Sequence, residues 1–231
     1  MSRTVIIVGA SGDIGFAISQ LLVKNSYVVI GVDLKPARED IFKKFYKLDL
    51  TDRTAINKIF QEILTEFDTV WAIVFCAGIY PIKDFLDYTF DLWDEVHAVN
   101  LTSIFLISRL IHPTLRDGGR IVVVGSGASY IGSQDIGYSS SKAGVIGLVR
   151  SLAKILASSG IFVNGICPGV IETQMSARMS SDHMNKYLNS IPLKRAGRPE
   201  EVAVCILFLL DKANTYMTGA TIDVNGGLYM R

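Results

Sequence analysis

Seven short runs rich in β-branched residues recur along the chain, and several are apolar from end to end instead of alternating apolar with polar positions. They are TVIIV (4–8), YVVIGV (27–32), FYKL (45–48), TVWAIVF (69–75), RIVVV (120–124), IFVNGI (161–166) and ATIDV (220–224). A strand without alternation must be covered on both faces, which is the condition of a parallel sheet clad in helices. The intervening segments supply the cladding. Between the first two runs Ile14, Ala17, Ile18, Leu21 and Leu22 recur at helical spacing and form one apolar stripe. The predicted fold is α/β: a doubly wound, parallel, seven-stranded sheet with helices on both faces. Only about 12 residues separate the second run from the third, so any helix there must be very short.

A chain of 231 residues, 49% hydrophobic and 19% charged, has apolar material for one large core. No linker, repeat or low-complexity tract divides it, so residues 1–231 are expected to form a single domain. The 23 basic and 22 acidic residues are dispersed, which argues against a nucleic-acid surface. Cys76, Cys167 and Cys205 are odd in number and lie in apolar runs, so they read as buried thiols in a reducing cytoplasm. The N-terminal apolar run is too short for a signal peptide, and VWAIVFCAGIY falls well below the roughly 20 residues of a membrane span.

The stretch VGASGDIG (8–15) follows a strand and opens a helix. In that context glycines bring backbone close to a ligand, and free N–H groups at the helix start face an anion. Gly9, Ser11, Gly12, Asp13, Ile14 and Gly15 are therefore candidate cofactor-binding residues. Asp33, 18 positions after Gly15 at the end of the second strand, stands where an acid accepts hydrogen bonds from an adenosine ribose. A carboxylate there disfavours a 2′-phosphate, so NAD is expected over NADP, with Lys35 and Arg38 near enough to soften the preference. Asp13 is expected to accept backbone N–H bonds at its own helix start, with its carboxylate turned from the phosphates. The competing reading is a plain strand-to-helix turn.

YSSSK places Tyr138 and Lys142 one helical turn apart, on one face. A phenol near its ordinary pKa of about 10 is a poor base at neutral pH, but a neighbouring ammonium and a pyridinium favour the phenolate.

Taken in order, the glycine turn, Asp33, LDL (48–50), CAG (76–78), VNLTS (99–103), VVGS (123–126), YSSSK (138–142), CPGVIET (167–173) and DVNGG (223–227) resemble the classical short-chain dehydrogenase/reductase family. Length and motif order are similar to its 3-oxoacyl-carrier-protein reductase branch, and the likeness runs from Val5 to about Leu228. It implies a Rossmann fold and hydride transfer between a nicotinamide cofactor and a secondary alcohol or ketone. By that likeness Tyr138 is the general acid/base and Lys142 lowers its pKa and binds the nicotinamide ribose. Ser126 hydrogen-bonds the reacting oxygen, and Asn100 holds a water in a proton relay. Asp49 and Leu50 would contact adenine, Ala77 and Gly78 would bring backbone near the ribose, and Pro168, Ile171 and Thr173 would hold the nicotinamide amide. The resemblance also implies a homo-oligomer, dimer or tetramer, through helices around 100–112 and 138–156.

Each residue has a structural rival. Ser126 could be a strand-end hydroxyl, Asn100 a helix-interior amide bonding backbone, and Pro168 with Gly169 loop punctuation. His97, His112 and His183 have no ligand spacing, and no metal is expected. Glu200 and Glu201 after Pro199 mark a helix's first turn. Three departures from the family pattern stand out: Asp13 in place of the middle glycine, Phe75 and Cys76 where asparagines are common, and a Ser126–Tyr138 interval one residue short, with Ser129 the other hydroxyl. Tyr80, Tyr130 and segment 174–189, with its three methionines, are expected to set specificity as an apolar lid; the rival is a Met-rich helix packed on the core. A non-catalytic NAD(H)-binding regulator and an NAD-bound dehydratase or epimerase are the alternatives.

Overall fold

The structure, a computed structural model, describes residues 3–231. Its strands are β1 (Thr4–Val8), β2 (Val28–Asp33), β3 (Lys44–Lys47), β4 (Val70–Phe75), β5 (Leu115–Val124), β6 (Phe162–Pro168) and β7 (Thr221–Val224). All pair in parallel, in the order β3-β2-β1-β4-β5-β6-β7. The α-helices are α1 (Asp13–Lys24), α2 (Arg53–Glu66), α3 (Phe90–His97), α4 (Ser103–Ile111), α5 (Ala128–Ile131), α6 (Ile136–Leu156), α7 (Ser181–Ser190) and α8 (Pro199–Leu210). All seven expected strands are present, the fifth beginning five residues earlier than its apolar run.

Successive strand residues point to opposite faces, and both faces are apolar. Ile6, Ile30, Ile73, Ile121 and Val163 join Phe60, Ile104, Ile107, Val145 and Val149 of α2, α4 and α6 in one core. Val5, Val29, Ala72, Val122 and Ile166 meet Ile18 and Leu22 of α1 and Val202, Ile206 and Leu209 of α8 in the other. The predicted α1 stripe is therefore the inner face of that helix. Glu200 and Glu201 do open α8, where Glu201 accepts from the Arg198 N–H at 2.7 Å and pairs with Arg195.

The short β2–β3 connection contains no helix at all; it runs through turns and bends. Hydrogen bonds to the glycine turn hold it instead. Ser11 Oγ donates to the Pro36 carbonyl at 2.7 Å, and the Asp33 carboxylate accepts from Ser11 N and Lys35 N, both at 2.9 Å.

Strand order reverses between β1 and β4, and a crevice opens above their C-terminal ends, where doubly wound sheets bind ligands. Backbone packing there is close. Gly9 has φ +87°, and a Cβ on it would stand 2.3 Å from Ala77 N; a Cβ on Gly15 would stand 2.0 Å from the Gly9 carbonyl oxygen. Gly15→Ala is accordingly expected to lower the unfolding free energy by about 1–3 kcal/mol, the usual range for overpacking. An unchanged urea midpoint would show that α1 does not approach the turn so closely.

Candidate active site

The crevice is a cleft of about 1090 Å³. Gly9, Gly12, Asp13, Ile14, Gly15, Asp33, Asp49, Leu50, Ala77, Gly78 and Thr173 all line it. It adjoins a cavity of about 170 Å³ lined by Ser126, Tyr138, Lys142, Pro168 and Ile171, and Ile14, Gly78, Tyr80, Thr173 and Met175 border both. Two expected residues lie behind the walls. Ser11 is buried with its hydroxyl turned to the β2–β3 connection, and Asn100 is fully buried beneath the loop after β4.

This geometry fits a dinucleotide. The glycine cradle would be filled by any Cβ at Gly9 or Gly15, the first turn of α1 offers its N–H groups to the cleft, and Asp33 borders the cleft at the end of β2. The Asp49 carboxylate is partly engaged, accepting from Thr51 N at 2.9 Å and Thr51 Oγ1 at 2.7 Å.

Asp13 behaves differently from expectation. Gly12 is the N-cap of α1 and makes no side-chain cap, and the Asp13 carboxylate bonds no N–H of its own helix. Instead Oδ1 accepts from Arg38 Nη2 at 2.7 Å and Oδ2 from Gln174 N at 2.7 Å. As the first residue of the helix, Asp13 extends sideways and ties the β2–β3 connection to the segment after β6. Arg38, lying over the Phe16 ring, is thereby paired.

Ser126 lies two residues past the end of β5, and Asp135 caps α6, accepting from Tyr138 N at 2.8 Å. The shortened interval between Ser126 and Tyr138 is closed by the single turn of α5 and by Gly132 at φ +77°. Ser126 Oγ accepts from Ala128 N at 3.1 Å and borders the same cavity as Tyr138. The alternative hydroxyl, Ser129 Oγ, is buried without a hydrogen-bond partner. Tyr80 does reach the site: its ring lies 4.7 Å from that of Tyr138.

Lys142 is buried, with Nζ donating to the Val124 carbonyl at 2.8 Å. Burial pushes its pKa down to about 8. Burial also pushes the Tyr138 phenol up to about 12, opposed by the neighbouring Ser126 hydroxyl. The expectation that Lys142 lowers the phenol is corrected to this extent: within the chain alone desolvation dominates, because Nζ lies 5.9 Å from the ring centroid and spends a donor on backbone.

Asn100 sits in one turn of π-helix, residues 98–102, a device frequent at functional sites. Its Oδ1 accepts from Ile79 N at 2.8 Å, and its Nδ2 donates to the Ile79 carbonyl at 3.0 Å and to Ser141 Oγ at 3.1 Å. The amide therefore clamps the loop after β4 to α6. A Cβ on Gly78 would stand 3.3 Å from Asn100 Oδ1 and 3.4 Å from Lys142 Nζ, so glycine leaves a small polar space between them.

In segment 174–189, Met175, Met179 and Tyr187 line the smaller cavity, and no residue of α7 is fully buried, which favours the lid over a helix packed on the core. Tyr130 does not join them. Its hydroxyl meets Thr221 Oγ1 at 2.9 Å and the Arg231 guanidinium covers its ring, so Ile131, Gly132 and Ser133 form that wall. Cys167 is buried, whereas Cys76 and Cys205 are only partly so; all three are free thiols, and Cys76 borders both cavities. His97 lies on the larger cleft with its ring nitrogens 2.9 Å from the Trp93 carbonyl and 3.2 Å from Ser140 Oγ. Missed in the sequence were Asp135, whose place three residues before Tyr138 is an N-cap signature, and Arg178, which donates to the Tyr80 and Pro81 carbonyls.

Residues 9–229 match the family model described as enoyl-(acyl carrier protein) reductase. The chain is 36% identical to the 3-oxoacyl-(acyl-carrier-protein) reductase FabG of Buchnera aphidicola subsp. Acyrthosiphon pisum, covering 99% of this chain and 98% of that protein. It is 38% identical to the FabG of Aquifex aeolicus, covering 97% and 96%. A short-chain dehydrogenase/reductase (glucose/ribitol dehydrogenase) from Brucella melitensis superposes with a TM-score of 0.91 at 30% identity, covering 99% of this chain and 97% of that one. Aldohexose dehydrogenase from Thermoplasma acidophilum gives 0.91 at 27% identity, covering 100% and 95%. With cradle and acid in the cleft and the tyrosine–lysine pair in the cavity that adjoins it, the chain belongs to the short-chain dehydrogenase/reductase family of NAD(P)-dependent oxidoreductases that act on secondary alcohols and ketones.

Proposed function

We propose that the chain is an NAD(H)-preferring reductase in which Tyr138 Oη exchanges the proton with the reacting oxygen and Ser126 Oγ steadies that oxygen. The observation that carries this reading is the junction of the two cavities, where Tyr138, Ser126 and Lys142 meet the end of the glycine-lined cleft. When bound, a nicotinamide supplies or accepts the hydride. The protein's part is orientation and proton handling. With a dinucleotide bound, Lys142 would hold the ribose hydroxyls and Pro168, Ile171 and Thr173 would seat the carboxamide, while Asn100 and Lys142 flank the relay space over Gly78.

The NAD preference rests on charge. A 2′-phosphate beside Asp33 would set like charges together, costing on the order of 1–4 kcal/mol at contact distance. Arg38 is engaged by Asp13, which weakens the compensation that it could offer. The substrate proposed is a 3-oxoacyl thioester, the class named for the FabG relatives, because Ile131, Met175, Met179 and Leu228 give the smaller cavity an apolar wall. A sugar would leave hydroxyls facing those side chains. Exposed Phe105 and Ile155 on α4 and α6 support a homo-oligomer, and three free thiols support a cytoplasmic protein. Among the described residues no helix is long and apolar enough to cross a membrane.

Tyr138→Phe should keep NADH binding within a few-fold and lose about 10²–10⁴-fold in kcat, the range for a general acid/base. Survival of turnover on a 3-oxoacyl thioester would refute the assignment. In parallel assays kcat/KM with NADH should exceed that with NADPH by about tenfold or more, and Asp33→Ser should narrow the gap.

Lys142 yields a third expectation. Its pKa is about 8 in the fold against 10.5 ordinarily, so between those pH values the unfolded chain binds more protons and this group's contribution to stability rises with pH. Below about pH 8 the full penalty applies. Lys142→Met should therefore be inactive yet more stable than the parent at pH 7, by about 1–3 kcal/mol, with the difference shrinking toward pH 10. Paired urea melts at the two pH values measure it; a variant less stable at pH 7 would contradict the penalty.

A further inference from the structure

We infer that Asp135 is a positioning residue that locks the loop after β4, through Lys83 and Tyr88, to the helix turn carrying Tyr138. The inference rests on Tyr138 being the acid/base group. Asp135 is 1% exposed and spends both oxygens on three donors from two parts of the chain. Oδ1 accepts from Tyr138 N at 2.8 Å and from Tyr88 Oη at 3.0 Å, and Oδ2 accepts from Lys83 N at 3.2 Å. An ordinary helix cap needs only the first of these. The other two reach some fifty residues back, to the segment that brings Tyr80 onto the Tyr138 ring.

Two further observations show that the junction is built. A Cβ on Gly137 would stand 2.1 Å from Tyr88 Oη, so any other residue there would expel the hydroxyl. Ile82, next to Lys83, holds φ +60°, a conformation that a β-branched residue keeps only where its surroundings impose it. Residues 76–84 have no secondary structure to impose it. The neighbouring constraints are the Asn100 clamp on Ile79, the Arg178 bonds to Tyr80 and Pro81, and Asp135. Asp135 thus makes the loop facing substrate and the proton-transfer group one rigid unit. Burial is the main cause that raises the Tyr138 phenol, and the Asp135 charge adds to it after Tyr80 and Cys167, with the Lys142 ammonium the cation facing the ring.

The test compares the intact chain with Asp135→Asn and Tyr88→Phe. Asparagine keeps an acceptor for Tyr138 N and hence the cap, but turns an amide toward the Lys83 N–H. Hydrogen exchange of amides 79–88, which needs no turnover, should quicken about tenfold or more in Asp135→Asn. With NADH affinity within about twofold of the parent, its kcat should fall about tenfold or more, and the limb of the kcat profile that reports the phenol should move to lower pH. Tyr88→Phe leaves the cap intact and should reproduce the faster exchange with a smaller loss of kcat. Unchanged exchange over 79–88, or a loss of activity proportional to lost folded protein with an unmoved limb, would overturn the proposal. If Asp135→Asn does not fold, unchanged exchange in Tyr88→Phe overturns it equally. Absence of turnover by the parent chain on any ketone would count against the reductase reading alone, because the exchange result stands without it.

Discussion

The close approach of backbone to backbone at Gly9 organises everything above the sheet. Where β1 and β4 part company, the chain must turn into α1 within a few residues while the β4 exit passes directly beneath. Side chains cannot occupy that junction, since Cβ atoms at positions 9 and 15 would collide with main chain. The same absence of side chains exposes the N–H groups of the helix start to the cleft. One steric requirement therefore both permits the fold to close and leaves an anion-sized cradle at its switch point.

Electrostatics at the far end of the cleft follow from burial rather than from the pairing of tyrosine with lysine. Lys142 is held in the wall by a bond to a strand carbonyl and is pushed toward neutrality, while Tyr138 is pushed toward its protonated form. The resting site thus disfavours charge on both groups. A ligand that places an opposite charge or a hydrogen-bond partner beside either group offsets that penalty, which is how desolvated groups are tuned. Stability is given up locally, and the two apolar cores on either side of the sheet supply the surplus.

Much of this was legible in the sequence because it depends on period and punctuation. Unalternated apolar runs announced strands buried on both faces, the Ile14 to Leu22 stripe announced the inner face of α1, and Pro199 with two glutamates announced the start of α8. Legibility fails where a side chain's partner is remote. Nothing near Asp13 points to Gln174, nothing near Tyr130 points to Thr221 and Arg231, and nothing in RIVVV foretells Arg120 buried between Trp71 and Phe162. Arg120 donates to the Asp211 and Asn214 carbonyls, 91 and 94 residues away, and only the folded chain brings those together. Aromatic and charged residues also have two readings each, and local spacing does not choose between them. Tyr80 and Tyr130 looked alike as specificity residues, yet one stacks on Tyr138 and the other braces β7.

Three carboxylates around the site share a chemistry. Asp13, Asp33 and Asp135 each use a carboxylate to accept a backbone N–H from a connecting segment: Gln174, Lys35 and Lys83 respectively. Connecting segments around a site bury little apolar surface, so packing alone leaves them free to move. A carboxylate accepts several N–H donors at once, and bonds to a charged group are stronger than neutral ones. The sheet and its helices are thus fixed by apolar burial, and the rim of the cleft is fixed by acids rooted at the edges of that rigid frame. Asp33 ends β2, Asp13 begins α1 and Asp135 caps α6, so each acid transmits the position of a core element to a loop that has no core of its own.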